Sequence, residues 1–291
     1  NWNNSLLNIE ADLAVPRYST GVIPTIERKV CGFRETLYAS RLRAVDVAIL
    51  RPSASTLVAA PDLRSRQDGT AVAEHLLGQN MVPIMIAEEH LLEGPAVLSD
   101  VKVLITPWAT HVPERVQQTV LDWVASGGHL LASGPFGTYT PHGEPSGILM
   151  EAAFGEGRWL YGSADLTWRW EPETAEGENI TRIDVPGAGM SLIAGKIGAG
   201  SVRVYPTSLA SANAAKVVDY VLKQDVPIPL VQTDLERVEI VPRWLDERQL
   251  LLFVINLDPR GAVEGQVMVR GSFADVADIA CESVPRVPVK L

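Results

Sequence analysis

Val103-Leu104-Ile105-Thr106-Pro107, then Pro113 to Ser126, then Gly127-Gly128-His129-Leu130-Leu131-Ala132 form the stretch that decides the fold. The first and last runs are short and almost wholly apolar. That is the pattern of strands covered on both faces, which need no polar alternation. Between them Val116, Val120, Leu121 and Val124 recur at helical spacing. Pro113 suits the opening of a helix and Gly127-Gly128 its stop. Strand, helix and strand in about thirty residues make the unit of a parallel sheet.

The same rhythm extends outward. Val45-Asp46-Val47-Ala48-Ile49-Leu50 and Val82 to Ala87 read as strands. Asp68 caps a helix running to about Gln79, with Val72, His75, Leu76 and Leu77 in its pattern. A short helix is expected around Leu91–Leu98. Downstream, Val202 to Tyr205 is a strand, and Leu209 to Lys223 is a helix with Ala214, Val217, Val218, Val221 and Leu222 as its stripe. The fold class is therefore α/β: a flavodoxin-like parallel sheet with helices on both faces. Residues 1–22 are irregular. Pro24 to Arg43 carries a helical stripe of Ile26, Val30, Phe33, Leu37 and Leu42. After the Pro-rich break at Asp225–Pro229 the period becomes two, in Val238–Val241, Leu250–Asn256 and Val267–Val269. The expected organisation is an N-terminal segment and linking helix (1–43), an α/β domain (44–226) and a small antiparallel β domain (227–291).

Composition excludes several classes of function. The 291 residues are 46% hydrophobic and 21% charged, ample for a packed core. The net charge of −10 argues against nucleic acid or an anionic membrane as partner. No apolar run reaches the ~18 residues of a spanning helix. Two cysteines, Cys31 and Cys281, give no disulfide framework and no cysteine zinc site. The expected compartment is the cytoplasm. Asn3-Asn4-Ser5 and Asn179-Ile180-Thr181 are glycosylation sequons, relevant only to a secreted eukaryotic protein. The opening Asn1-Trp2-Asn3 reads as part of a longer or processed chain.

In a doubly wound sheet a site lies at the carboxyl ends of the strands. Those ends carry Arg51-Pro52-Ser53, Glu88-Glu89-His90, Pro107-Trp108 and Ser133-Gly134-Pro135. A nucleophile of the amidotransferase type would stand at the last of these. The position holds no cysteine, and Ser133 lacks the flanking glycines of a nucleophile elbow. Ser133 with His142 or His90 as base is the alternative to a polar loop. Cys31 and Cys281 lack a neighbouring base in the pattern and read as inert thiols. The five histidines, His75, His90, His111, His129 and His142, form no ligand pair, so no metal and no cofactor is expected. Gly195-Lys196-Ile197-Gly198-Ala199-Gly200 lacks the phosphate-loop spacing and leads into a strand, so it reads as a hairpin or bend with tight turns at its glycines.

Glycosidases need two carboxylates. Glu88 and Glu89 are adjacent and should point opposite ways at a strand end. Glu171, Glu173, Glu176 and Glu178 read as a solvated loop. Trp159, Tyr161, Trp168 and Trp170 cluster around Asp165 and Arg169. Such a cluster stacks on sugar faces or builds an interface or core.

Taken in order, these segments resemble the C-terminal half of family-42 β-galactosidases. The resemblance runs from Arg34–Arg43 leading into Val45–Leu50, through the opening stretch and Ile197–Tyr205, to Leu252-Phe253-Val254-Ile255-Asn256-Leu257. It implies the family's middle, trimerisation domain, with a class I glutamine-amidotransferase-like fold, followed by its small β domain. It also implies a carbohydrate-active background without catalytic residues here. The family's catalytic glutamates sit on a (β/α)₈ barrel of about 250 residues, for which nothing before Val45 has room. The expected chain is a non-catalytic oligomerisation or accessory portion, a homo-oligomer and by resemblance a trimer. Carbohydrate is a possible partner. Trp108, Phe136, Tyr139, Trp168 and Trp170 are its candidate interface or sugar-rim residues. The rival readings are an amidotransferase-like hydrolase and a stand-alone carbohydrate-binding module.

Overall fold

The computed structural model describes residues 34–41, 46–58, 64–162, 167–173, 180–211, 213–227, 229–235, 238–256, 261 and 264–271. Their contacts fall into two compact units: those of 44–241 with 253–269, and those of 1–43, 242–252 and 270–291. Cys31, Cys281, Asp165, Glu176, Glu178, the Asn3-Asn4-Ser5 sequon, Asn179 of the second sequon and most of the Pro24–Arg43 stripe lie outside the described residues.

The larger unit is built on a seven-stranded sheet. Its strands are β1 (Val47–Arg51), β2 (Ile84–Ala87), β3 (Val103–Pro107), β4 (His129–Ser133), β7 (Thr181–Ile183), β8 (Leu192–Ile197) and β9 (Gly200–Tyr205), in the order β2-β1-β3-β4-β9-β8-β7. The first five are parallel, and their order is the flavodoxin-like one. The expected parallel sheet is present over these five strands, and at one edge β8 and β7 add antiparallel pairing. The Gly198-Ala199 turn reverses the chain between β8 and β9, as expected of that glycine-rich run, and a reversal of two residues permits only antiparallel pairing.

Helices cover both faces because the strands are apolar on both. Ala48, Leu50, Leu104, Leu130 and Val202 pack with α4 (Glu88–Leu92), α5 (Glu114–Ala125) and α6 (Ile148–Phe154). Val47, Ile49, Val103, Ile105 and Leu131 pack with α3 (Arg64–Gly78) and α7 (Ala214–Asp225). The helix expected over Leu91–Leu98 is instead α4 followed by a 3₁₀ turn at Pro95–Leu98. A short helix α2 (Ser53–Val58) follows β1. The aromatic segment, read only as a break in the rhythm, is a hairpin of β5 (Gly157–Gly162) and β6 (Thr167–Pro172).

Two expectations on α3 and α7 are corrected by one interaction. Asp68 does not cap its own helix; it lies inside α3. Its carboxylate accepts hydrogen bonds from the Ser208 hydroxyl, the Leu209 N–H at 2.7 Å and the Ala210 N–H at 3.1 Å. Those groups are thereby satisfied outside a helix, so α7 begins at Ala214 and not at Leu209.

Beyond the main sheet, β10 (Val231–Thr233) pairs antiparallel with β13 (Val267–Val269), and β11 (Val238–Trp244) pairs with β12 (Leu250–Asn256). In the smaller unit α1 (Arg34–Ala39) leads to Arg41, which exchanges backbone hydrogen bonds of 2.9 and 2.8 Å with Trp244. The Arg243 guanidinium holds Ser40 through its hydroxyl and its carbonyl.

Gly195, expected at a turn, lies within β8. A Cβ built there would stand 2.2 Å from the Ala153 carbonyl oxygen, because α6 passes directly over the strand. Gly195→Ala should lower unfolding free energy by about 1–3 kcal/mol. Gly78→Ala, with open space around it, should leave stability level or slightly higher. Urea unfolding of the two variants checks the contrast, and equal midpoints would contradict this packing.

Candidate functional site

The sheet order reverses between β1 and β3, and the crevice outside their carboxyl ends is where this architecture holds ligands. Here the chain fills that position itself. Helix α2 leaves β1, and its buried Ser55 hydroxyl both donates to the His111 carbonyl and accepts from the His111 N–H, each at 2.8 Å. The two loops that would flank a ligand are thus joined. His111 stacks on Tyr139, with ring centroids 5.2 Å apart. Burial lowers the His111 pKa, which keeps that ring neutral.

The second ligand position, at the end of β4, is filled as well. Ser133 is 0% exposed. Its Oγ accepts the Trp108 N–H at 2.9 Å, and its hydroxyl helps to hold the pKa of the Asp68 carboxyl down. Burial pushes the Asp68 pKa up, while Ser208, Leu209, Ser133 and Ala210 pull it down by donating. A nucleophile needs a base and an open face; Ser133 has a carboxyl fastener and a lid. The lid is Trp168, whose indole lies so close that a Cβ on Gly134 would stand 2.8 Å from its Nε1. Gly134 at φ 72° is required by both turn and contact. The hairpin is held there by the Trp168 N–H, which donates to the Pro206 carbonyl at 2.8 Å.

The five aromatic candidates separate into two sets. Trp108, Tyr161 and Trp168 meet over the carboxyl edge, with centroid distances of 5.0 to 6.5 Å. Trp108 adopts φ 45°, a rare conformation for a bulky residue. Tyr139 is 37% exposed. Trp170 packs with Trp159 and Phe154 in the core, and Phe136 is fully buried. Trp108, at 9% exposed, is nearly as buried as Trp170 at 7%.

Glu88 and Glu89 diverge as expected, one buried and one exposed, although they open α4 and do not end a strand. His90 accepts the Ala87 N–H through Nδ1 and does not approach Ser133 by hydrogen bond. Glu171 pairs with Arg158 at the surface. Among the described residues no group of three or more His, Cys, Asp or Glu would hold a metal.

One constellation had no signal in the sequence. At the amino edge of the sheet His129 Nδ1 lies 3.0 Å from Ser201 Oγ, and His129 Nε2 lies 3.8 Å from Asp225 Oδ1. The order of groups is that of a hydrolytic triad, but the geometry is not. The His–Asp distance exceeds a hydrogen bond, and Asp225 is paired with Arg203 through both guanidinium nitrogens. Burial lowers the His129 pKa, Asp225 raises it, and Arg203 and Lys102 lower it further. It is a partly buried ion network tying β4, β9 and α7. No local motif announces it, because its members lie far apart in sequence.

Ser133→Ala should cost about 1–3 kcal/mol of stability, because it leaves the buried Trp108 N–H without its side-chain acceptor. A fluorophosphonate probe should not label the folded wild-type chain. Labelling that disappears in Ser133→Ala would show a reactive serine.

No protein-family model matches the sequence, and no curated protein matches it. Solved structures do match the fold. A β-galactosidase from Bacillus circulans sp. alkalophilus is 19% identical with a TM-score of 0.62, over 85% of this chain and 40% of its own. Gan42B, a GH42 β-galactosidase from G. stearothermophilus, is 15% identical with a TM-score of 0.63, over 90% of this chain and 41% of its own. An α-L-fucosidase isoenzyme 2 from Paenibacillus thiaminolyticus is 14% identical with a TM-score of 0.51, over 88% and 44%. This chain spans about 40% of the length of the β-galactosidase chains it matches. By fold, it corresponds to a part of the GH42 β-galactosidases.

Proposed function

We propose that the chain is a non-catalytic assembly or accessory portion of a GH42-like glycoside hydrolase. In this reading residues 44–226 act as an oligomerisation domain of the trimerisation type, and residues 227–291 are a small accessory β domain. The observation that carries the reading is the filling of both ligand positions by the chain's own groups. Ser55 and His111 close the crevice between β1 and β3, and Trp168 covers Gly134 at the end of β4. Fold alone assigns no chemistry, and with both positions filled the surface is where this reading places the function. The rim would be formed by Trp108, Tyr139 and Trp168 at the carboxyl edge, with Phe136 and Trp170 supporting from the core. Carbohydrate is the ligand class such a rim would serve, since pyranose faces stack on indole and phenol rings. A closed three-fold assembly needs a heterologous interface, in which different patches meet.

The test is direct. The purified chain should show no turnover of a chromogenic β-galactoside, and its light-scattering mass should be three times that of one chain. Turnover that co-elutes with the chain through successive columns would overturn the non-catalytic reading. A monomeric mass at micromolar concentration would overturn the assembly role.

A further inference from the structure

Helix α2, which fills the crevice at the reversal of strand order, is held by few contacts. It has six residues, and Leu57 and Val58 are 78% and 51% exposed. Little apolar burial anchors it. Hydrogen bonds do: Ser55 to His111, and the Ala54 N–H to Glu88 Oε2 at 3.1 Å. Glu88, the first residue of α4, is only 4% exposed. Among the described residues nothing donates to its Oε1. A carboxylate with a buried, unsatisfied oxygen is far costlier than a carboxylic acid in the same place. Among the described residues the surroundings offer little compensation. Helix α2 brings no charged group, β1 ends in the exposed Arg51, α4 itself carries Glu89 and His90, and the loop beyond β3 brings the neutral His111.

We propose that Glu88 is a proton-operated latch on α2: the protonated carboxyl keeps α2 seated in the crevice, and loss of the proton releases the helix. Burial pushes the Glu88 pKa up from 4.5 to about 7; the Ala54 N–H opposes this and the charge on Glu89 adds to it. The seated state therefore binds the proton more tightly than the open state. Seating is at full strength below the open-state value near 4.5 and weakens as pH rises through about 7. Over that window the equilibrium shifts toward opening by roughly two to three orders of magnitude. Opening α2 removes the Ala54 N–H from Glu88 and brings water to it. It also uncovers the crevice between β1 and β3, independently of any role in assembly.

Amide hydrogen exchange on the full chain tests this, with rates corrected for intrinsic base catalysis. Protection of the amides of residues 54–58 should fall tenfold or more between pH 6 and pH 8.5. Protection of Val72 and Leu76 in α3 should stay constant. Glu88→Gln, which mimics the protonated acid, should abolish the pH dependence. A flat wild-type profile, an equal fall in Glu88→Gln, or a parallel fall at Val72 and Leu76 would each overturn the latch. If Glu88→Gln does not fold, the wild-type chain still decides. The Glu88 carboxyl carbon, followed by NMR, should titrate with a midpoint near the loss of protection, and a midpoint between pH 4 and 5 overturns the proposal.

Discussion

One buried carboxylate, Asp68, holds the carboxyl edge of the sheet together. It projects from α3 and accepts from Ser208, Leu209 and Ala210 in the turn that leads from β9 to α7, and the Ser133 hydroxyl at the end of β4 helps to hold its pKa down. Ser133 passes the connection on by accepting the Trp108 N–H at the end of β3. The end of β9, helix α3 and the approach to α7 therefore meet at Asp68, while the ends of β3 and β4 meet at Ser133. Burial alone would make a carboxyl there unfavourable, but donors on both oxygens satisfy it.

That fastening decides what the edge can do. In a doubly wound sheet the strand ends are the natural place for chemistry, because loops there are free to vary while the sheet stays rigid. Here the loops are bound to each other. Trp108 is held at φ 45° by its N–H, which donates to both the hydroxyl and the carbonyl of Ser133. Strain of about 1–3 kcal/mol at such a residue persists only where neighbours over-determine it. At many active sites strain poises a group for reaction; here it turns Trp108 toward Tyr161 and Trp168 and completes the lid.

The central strands and α5 were legible because their apolar runs and helical stripe are unbroken over β1, β3, α5 and β4. The helix–sheet packing of Val217, Val218 and Val221 was legible for the same reason. What the sequence hid depended on partners distant along the chain. The β5–β6 hairpin escaped because Trp159 and Trp170 face the core while Leu160 and Tyr161 are both exposed, which blurs the alternation of a strand. Strand β7 escaped because a three-residue edge strand has little periodicity to read, and β8 because Gly195 within it reads as a turn. Asp68 was assigned to its own helix because a capping residue cannot announce that it caps a turn 140 residues away. Among the candidate aromatics, the identity of a ring does not say which side of it is covered; Phe136 and Trp170 look like Tyr139 until the sheet is assembled.

Asp68 and Glu88 show how the same chemistry yields opposite mechanics. Both are acids buried at the same edge of the same sheet, and burial raises both. Asp68 receives donors on each oxygen, from the Ser208 hydroxyl and the Leu209 and Ala210 N–H groups, and these compensate its burial. Glu88 receives one backbone N–H, from a helix with two exposed apolar side chains and little buried surface. The difference lies in donor count and in what the donors are attached to. A carboxyl saturated by rigid donors is a fastener, while one half-satisfied by a loosely seated helix ties the position of that helix to its own proton.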